Sequence, residues 1–258
     1  MVSELGAFLR ARRTDAALEP PRRSLGARRV RGLRREEVAA AAGISVDYYT
    51  RLEQGRETNP SDAVVHALAA VLRLEPDAVE HVHRLRATGA GMPAGALEPA
   101  VVARMQALVD AVRPNPAYVL DRLSNVIAAN PEGLAIFVGL ADLPPAERNT
   151  CRYLLTDARA RTIFLDWEDI ARGAVAHLRA ANAADLNEPQ LRAFVADLSG
   201  RSALFAEWWA GHVVERRRSS TKRMIAADGT EVARRYEVLH LPDERMRMTL
   251  WLPASRRT

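Results

Sequence analysis

Residues 34–55, RREEVAAAAGISVDYYTRLEQG, constrain this chain more than any other stretch of it. They read as two short helices joined by a glycine turn. In the first, Val38, Ala39 and Ala42 fall on one face at i, i+1 and i+4, while Arg34, Arg35, Glu36 and Glu37 stay in water. Gly43 supplies the turn, and Ser45 stands where an N-cap is wanted. The second helix carries Tyr49 and Leu52 inward, leaving Val46, Asp47, Thr50 and Arg51 outward, and Gly55 stops it. This is the device that places one helix in a DNA major groove. An ordinary helical hairpin would not need cap, turn and polar outer side at these offsets.

Charge is distributed to match. Residues 1–35 hold ten arginines against Glu4, Asp15 and Glu19, a net of +7, whereas residues 36–90 hold five arginines against nine acids, a net of −4. The basic arm carries Arg10, Arg12, Arg13, Arg22, Arg23, Arg28, Arg29 and Arg31, with Pro20, Pro21 and Gly26 interrupting any long helix. Guanidinium groups spaced along such a segment suit phosphate contacts, which give sequence-independent affinity. The overall charge of +5 permits a nucleic-acid partner without requiring one.

The following stretch returns to helix. Pro60 and Ser61 open a segment with Val64, Val65, Leu68, Ala69 and Leu72 on one stripe, and Glu75 and Pro76 open another through Val79, Val82 and Leu85. With a helix at residues 3–13 this makes an all-α five-helix domain over 1–88, followed by a Gly- and Pro-rich linker at 89–97. His81 and His83 point to different helix faces with no third ligand near, so surface or interface histidines are expected and no metal. The first thirty residues contain no signal-peptide core, and no apolar run reaches membrane-spanning length. A single cysteine, Cys151, excludes an intrachain disulfide and fits a reducing cytoplasm; it reads as a small buried residue rather than a redox sensor.

Residues 98–258 form the second expected domain. A helix at 99–112 precedes a hairpin at 117–130, whose Asn130 caps a helix to 138. Amphipathic helices follow at 166–181, 188–198 and 202–212, and strands at 217–226, 231–241 and 247–252. Five antiparallel strands with helices on one face are an α+β layer enclosing a cavity. The charges of 216–218 and of Lys222 and Arg223 read as a solvated strand edge. His177, His212 and His240 permit acid–base work, but no nucleophile elbow, phosphate loop or metal-ligand spacing accompanies them, so no enzyme and no cofactor are expected.

The run Arg31-Gly32-Leu33-Arg34-Arg35-Glu36-Glu37-Val38-Ala39, with Val46-Asp47-Tyr48-Tyr49-Thr50-Arg51-Leu52-Glu53-Gln54-Gly55-Arg56, resembles the helix-turn-helix of the XRE (lambda-repressor/Cro-like) family, and within it the MmyB-like regulators. Pro116-Ala117-Tyr118-Val119-Leu120, Pro145-Ala146-Glu147-Arg148-Asn149, Asp166-Trp167, Leu198-Ser199 and the late Trp209, His212, Val213, Glu215 and Arg216 resemble the PAS-like domain that follows it. The resemblance implies a cytoplasmic, nucleoid-associated homodimer that binds double-stranded DNA and is not a membrane protein. Its DNA-binding set is Arg34, Arg35, Ser45, Val46, Asp47, Tyr48, Thr50, Arg51 and Arg56, with Arg28, Arg29 and Arg31 from the arm. It also implies a small apolar, fatty-acid-like ligand held by Tyr118, Ile127, Asn130, Phe137, Arg148, Arg152, Trp167, Trp208, His212 and Arg216, in a lining that includes Val119, Ile136, Leu154, Phe164 and Leu250. The alternative is a constitutive DNA-binding regulator whose second domain only dimerises or docks a protein. One departure is Ala128-Ala129-Asn130, where the family often has a tryptophan before the asparagine; a lost ring there would reshape the cavity.

Overall fold

The computed structural model describes residues 3–16, 32–86, 97–183, 185–226, 228–241 and 246–253. Arg22, Arg23, Arg28, Arg29 and Arg31 of the arm, and most of the expected linker, lie outside the described residues. The chain divides into two compact units, Met1–Gly91 with Ala183–Leu186 and Ala210–Glu215, and the remainder.

Among the described residues the first unit contains five helices, α1 (Glu4–Asp15), α2 (Arg35–Ala41), α3 (Val46–Glu53), α4 (Asp62–Val71) and α5 (Pro76–Arg86). Serine N-caps start three of them: Ser3, Ser45 and Ser61 accept from the backbone N–H groups of Gly6, Tyr48 and Val64. Their core joins Leu5, Phe8 and Leu9 of α1 to Val38, Ala39, Tyr49, Leu52, Val65, Leu68, Val82 and Leu85. Gly6 marks the closest approach of α1 to α3: a Cβ there would meet the Glu53 carbonyl oxygen at 2.5 Å, so no larger residue fits without moving a helix. His81 departs from expectation, for it is buried against Phe8 with ring centroids 5.3 Å apart. It shares the inner face of α5 with Ala78, Val82 and Leu85, an i, i+3, i+4, i+7 pattern that holds a histidine as readily as an aliphatic.

The second unit is built on a five-stranded antiparallel sheet in the order β2-β1-β5-β4-β3, from β1 (Ala117–Leu120), β2 (Val126–Ala129), β3 (Ser220–Ile225), β4 (Glu231–Leu241) and β5 (Met246–Trp251). Central β1 and β5 are almost wholly buried, as strands covered on both faces must be. Helix α6 (Pro99–Ala111) covers one face through Met105 and Val109 on Ala117, Val119, Ala128, Met246 and Met248. The other face carries most of the helices, as expected: α8 (Thr150–Thr156), α9 (Ala158–Ile163) and α10 (Trp167–Ala181) supply the buried side chains Leu154, Ile163, Ile170 and Ala174. Short α7 (Pro131–Ala135) follows β2, and α11 (Pro189–Arg201) and α12 (Ala203–Ala210) precede β3. Cys151 is buried in α8, and burial pushes its thiol up to about 12, out of the range of a redox-responsive thiolate.

Candidate functional site

Among the described residues, the outer side of α3 and the cavity beneath the second face of the sheet hold side chains that packing alone does not explain.

Helix α3 is presented by α2 and the Gly43 turn, where φ is +68° and a side chain would be strained. Val46 is 41% exposed, and Asp47 and Arg51 are exposed beside it. Tyr48 and Thr50 are half-buried, and Ser45 is committed to its cap. Arg51 reaches Asp47 at 3.6 Å and lies 5.7 Å from the Tyr48 ring, a loose surface arrangement that a stronger partner can displace. Arg34 and Arg56 are exposed at the two ends of the unit, Arg56 donating to Gln54. The outward face is therefore apolar, acidic, hydroxylic and basic within two helical turns, a mixture suited to reading base edges.

Not every arginine near this face is available. Arg13 donates to Glu53 at 2.6 Å and to the Leu33 carbonyl at 2.7 Å, and Arg35 donates to Glu53 at 2.7 Å. Glu53 is almost fully buried. Burial alone would push its carboxyl up, but the hydrogen bonds from Arg13 and Arg35 outweigh it and bring the carboxyl below the usual glutamate value. This hub joins α1, α2 and α3. Arg13, counted with the arm as a phosphate contact, is largely buried against this carboxylate, whereas Arg35, expected in water, donates to it with its side chain 39% exposed.

In the second unit the cavity is walled by Tyr118, Leu120, Phe137, Leu154, Phe164, Ile170, Ala174 and Tyr236, with Ser124, Thr150 and Thr249 as neutral polar groups and Arg217, Lys222 and Arg247 as cations. Its free space is about 20 Å³, room for roughly one water molecule. Phe137 packs edge-on against Tyr118 and Tyr153 at centroid separations of 5.4 and 5.5 Å. Strand parity explains the cations: Lys222 shares a face with Met224, and Arg247 shares one with Thr249 and Trp251. Lys222 is half-buried, and its ammonium lies among three rings, 4.6 Å from Tyr236, 5.6 Å from Trp251 and 5.9 Å from Phe164. Burial, with help from Arg217 and Arg247, pushes Lys222 well below the usual lysine value.

Arg247 donates to the Asp121 carbonyl at 3.2 Å and to Ser124 Oγ at 2.9 Å, and Ser124 holds a left-handed backbone (φ 71°). Burial and then Arg217 bring Arg247 down to about 10. Asp121 turns its carboxylate to the Leu123 and Asn125 N–H groups. The backbone N–H of Arg217 donates to Nδ1 of buried His177, whose imidazole is pushed well below its usual value by burial and then by Arg247, Arg217 and His240.

Of the ten residues expected to hold a ligand, the cavity wall includes Tyr118 and Phe137. Ile127 packs with the α6 cluster on the opposite face, as do Val119 and Leu250 of the wider lining. Asn130 is fully occupied: its Oδ1 accepts from Ala117 and Gly133, and its Nδ2 donates to Val109 and Asn115. Arg148 staples the Ala141 and Leu143 carbonyls, and Arg152 pairs with Asp197 at 2.9 Å. Trp167 donates to the Leu154 carbonyl, faces Trp208 at 6.5 Å and carries Arg161 over its ring at 4.0 Å. His212 belongs to the segment grouped with the first unit, and Arg216 is outside the wall, one residue before the arginine that lines it. The solvated edge holds for Arg218 and for Arg223, which is exposed and pairs with Asp166 at 2.6 Å, but Arg217 and Lys222 line the cavity instead. Ala129, directly before Asn130, lines an open groove with Gln106, Asp110, Arg113 and Leu134 rather than the enclosed cavity.

Among the described residues no cluster of metal-ligating side chains occurs, and no helix is long and apolar enough to cross a membrane. No curated protein matches the chain. Residues 4–82 match a helix-turn-helix domain model, and residues 101–258 match the model of the MmyB-like transcription regulator ligand binding domain. Neither is an enzyme family. The chain therefore belongs to the MmyB-like transcription regulators, with a DNA-binding helix-turn-helix domain followed by a ligand-binding domain.

Proposed function

We propose that this regulator reads a specific operator as a homodimer in the cytoplasm, and that a small apolar, fatty-acid-like molecule in its second domain sets how tightly it does so. Val46, Asp47, Thr50 and Arg51 read base edges, with Arg34 and Arg56 beside them. The arginines of the arm, Arg28, Arg29 and Arg31 among them, grip phosphates. The DNA-binding domain spans 1–88 and the ligand-binding domain 98–258, joined by 89–97. A two-fold dimer places its recognition helices roughly 34 Å apart, one turn of DNA. The observation that carries the ligand half is the match of residues 101–258 to a ligand-binding family, in a domain whose sheet and helices enclose a small ring-walled space that a ligand would have to widen. Ligand and DNA are linked by population shift: a molecule that binds one packing of the second domain better biases the state that fits the operator.

The DNA half is tested by Arg51→Ala, which is expected to cost about 1–3 kcal/mol on the operator and little on unrelated DNA. An unchanged sequence preference overturns the assignment of Arg51 as a reader. The ligand half is tested by native mass spectrometry of the purified chain for dimer and bound molecule, followed by operator binding with and without added fatty acid. An operator affinity indifferent to every such addition leaves a constitutive regulator in its place.

A further inference from the structure

Helix α3 has to meet a polyanion, yet its outward face carries an acid. Of the two acids on the helix, Glu53 is buried in the hub, whereas the Asp47 side chain is 80% exposed beside Val46 and Arg51. Phosphates that approach this face are repelled by Asp47, so a carboxylate here lowers affinity for DNA of any sequence. Its local duties are slight. As an acid in the first turn it favours the helix dipole, but Ser45 already caps α3 at the Tyr48 N–H. Its contact with Arg51, at 3.6 Å and largely in solvent, adds little to stability.

What the contact does is direct Arg51. Asp47 meets it at Nε, and the Tyr48 ring lies 5.7 Å from the guanidinium carbon, so two neighbours one turn back set the course of the side chain. An approach at Nε leaves the two terminal nitrogens as the fork that matches O6 and N7 of guanine. Asp47 has a base preference of its own. A carboxylate only accepts, so the N4 amino group of cytosine suits it, while the acceptor-only edges of guanine and thymine repel it. Four residues of helix advance about 6 Å, or about two base-pair steps of 3.4 Å. We infer that Asp47 is the discriminating residue of α3: it steers Arg51 onto a guanine and itself accepts from a cytosine, so that each half-site contains two G·C pairs about two steps apart. The inference rests on the reading of α3 as the recognition helix. Asp47 weakens binding to all DNA, and weakens it least where the cytosine stands.

The experiment enriches binding sites from random duplex DNA with the full-length chain and with its Asp47→Ala, Asp47→Asn and Arg51→Ala variants. It then measures the affinity of each for the enriched site, for single-base variants of that site and for an unrelated duplex. The wild-type chain is expected to enrich two G·C pairs about two steps apart in each half-site. Asp47→Ala is expected to bind the unrelated duplex more tightly, to lose about tenfold of the preference for cytosine at one pair, and to relax the preference for guanine at the other. Asp47→Asn is expected to move the preference from cytosine to adenine, whose N6 and N7 match a carboxamide, a shift that a loss of helix stability would not produce. Asp47 variants that enrich the wild-type site unchanged, while Arg51→Ala does not, overturn the inference and leave α3 as the reader. Equal weakening on every duplex makes Asp47 a residue of the fold only and overturns it as well. A wild-type chain that enriches no site, or a site that neither Asp47 nor Arg51 variants alter, overturns the reading of α3 and the inference with it.

Discussion

The two halves of this molecule treat buried charge in opposite ways. In the helix-turn-helix domain, Arg13 and Arg35 meet Glu53 at 2.6 and 2.7 Å, and the three side chains tie α1, α2 and α3 into one unit. In the ligand-binding domain, Arg217, Lys222 and Arg247 line one cavity with neutral acceptors and aromatic rings. Balanced charge fixes geometry: the reading helix must be presented at one angle, and a closed ionic hub does that. Unbalanced charge costs the folded domain stability. The contrast separates a part of the protein stiffened by its buried charge from a part weakened by it.

The largest effect is expected from breaking the balanced side. Glu53→Ala leaves two guanidinium groups without their carboxylate and should destabilise the first domain by about 3–5 kcal/mol, seen as a fall in its denaturation midpoint. A shift no larger than that of an exposed substitution would mean the hub is ornamental. On the other side the sign reverses. Lys222→Met removes an uncompensated charge from a ring-lined space and should stabilise the empty second domain by about 1 kcal/mol or more; a loss of stability would show that the lysine is already paid for by its surroundings. The smallest effect is in pH dependence. Glu53 is held below its unfolded value, so its contribution is present above about pH 4.5 and is lost as pH falls through the lowered value. Lys222 is also lowered, and the unfolded chain binds the extra proton, so stability of the second domain rises with pH until the unfolded lysine titrates near 10.5. Melting temperature measured across both windows should rise in each, and Lys222→Met should flatten the alkaline rise alone.

Local chemistry made much of the fold legible in sequence. Caps at Ser45 and Asn130, a glycine turn at Gly43 and the alternation of β4 act over a few residues, so the helix-turn-helix, the first hairpin and the late strands follow from short-range rules. The cavity was less legible, because its cations come from β5, β3 and the segment before β3. A charge run near a strand edge looks solvated from composition, yet strand period two puts Lys222 with Met224 inside. The signal was present in that parity and in the rarity of lysine. Arg148, Arg152 and Asn130 are the opposite case: they are polar and close to motif residues, but Asn130 and Arg148 bond the backbone, and Arg152 pairs with Asp197. His81 likewise followed the apolar face of α5 rather than its chemical type.

The sheet order has a consequence in time rather than in space. β5 lies between β1 and β4, and Ala117 pairs with Leu250, a partner 133 residues further along the chain. The strand that supplies Arg247, Thr249 and Trp251 to the cavity thus emerges from the ribosome long after the five helices of the first unit, whose contacts are far more local. On a nascent chain the DNA-reading half can be folded while the central gap of the sheet is still open. The sheet of the ligand-binding domain is therefore the last part of the fold to close.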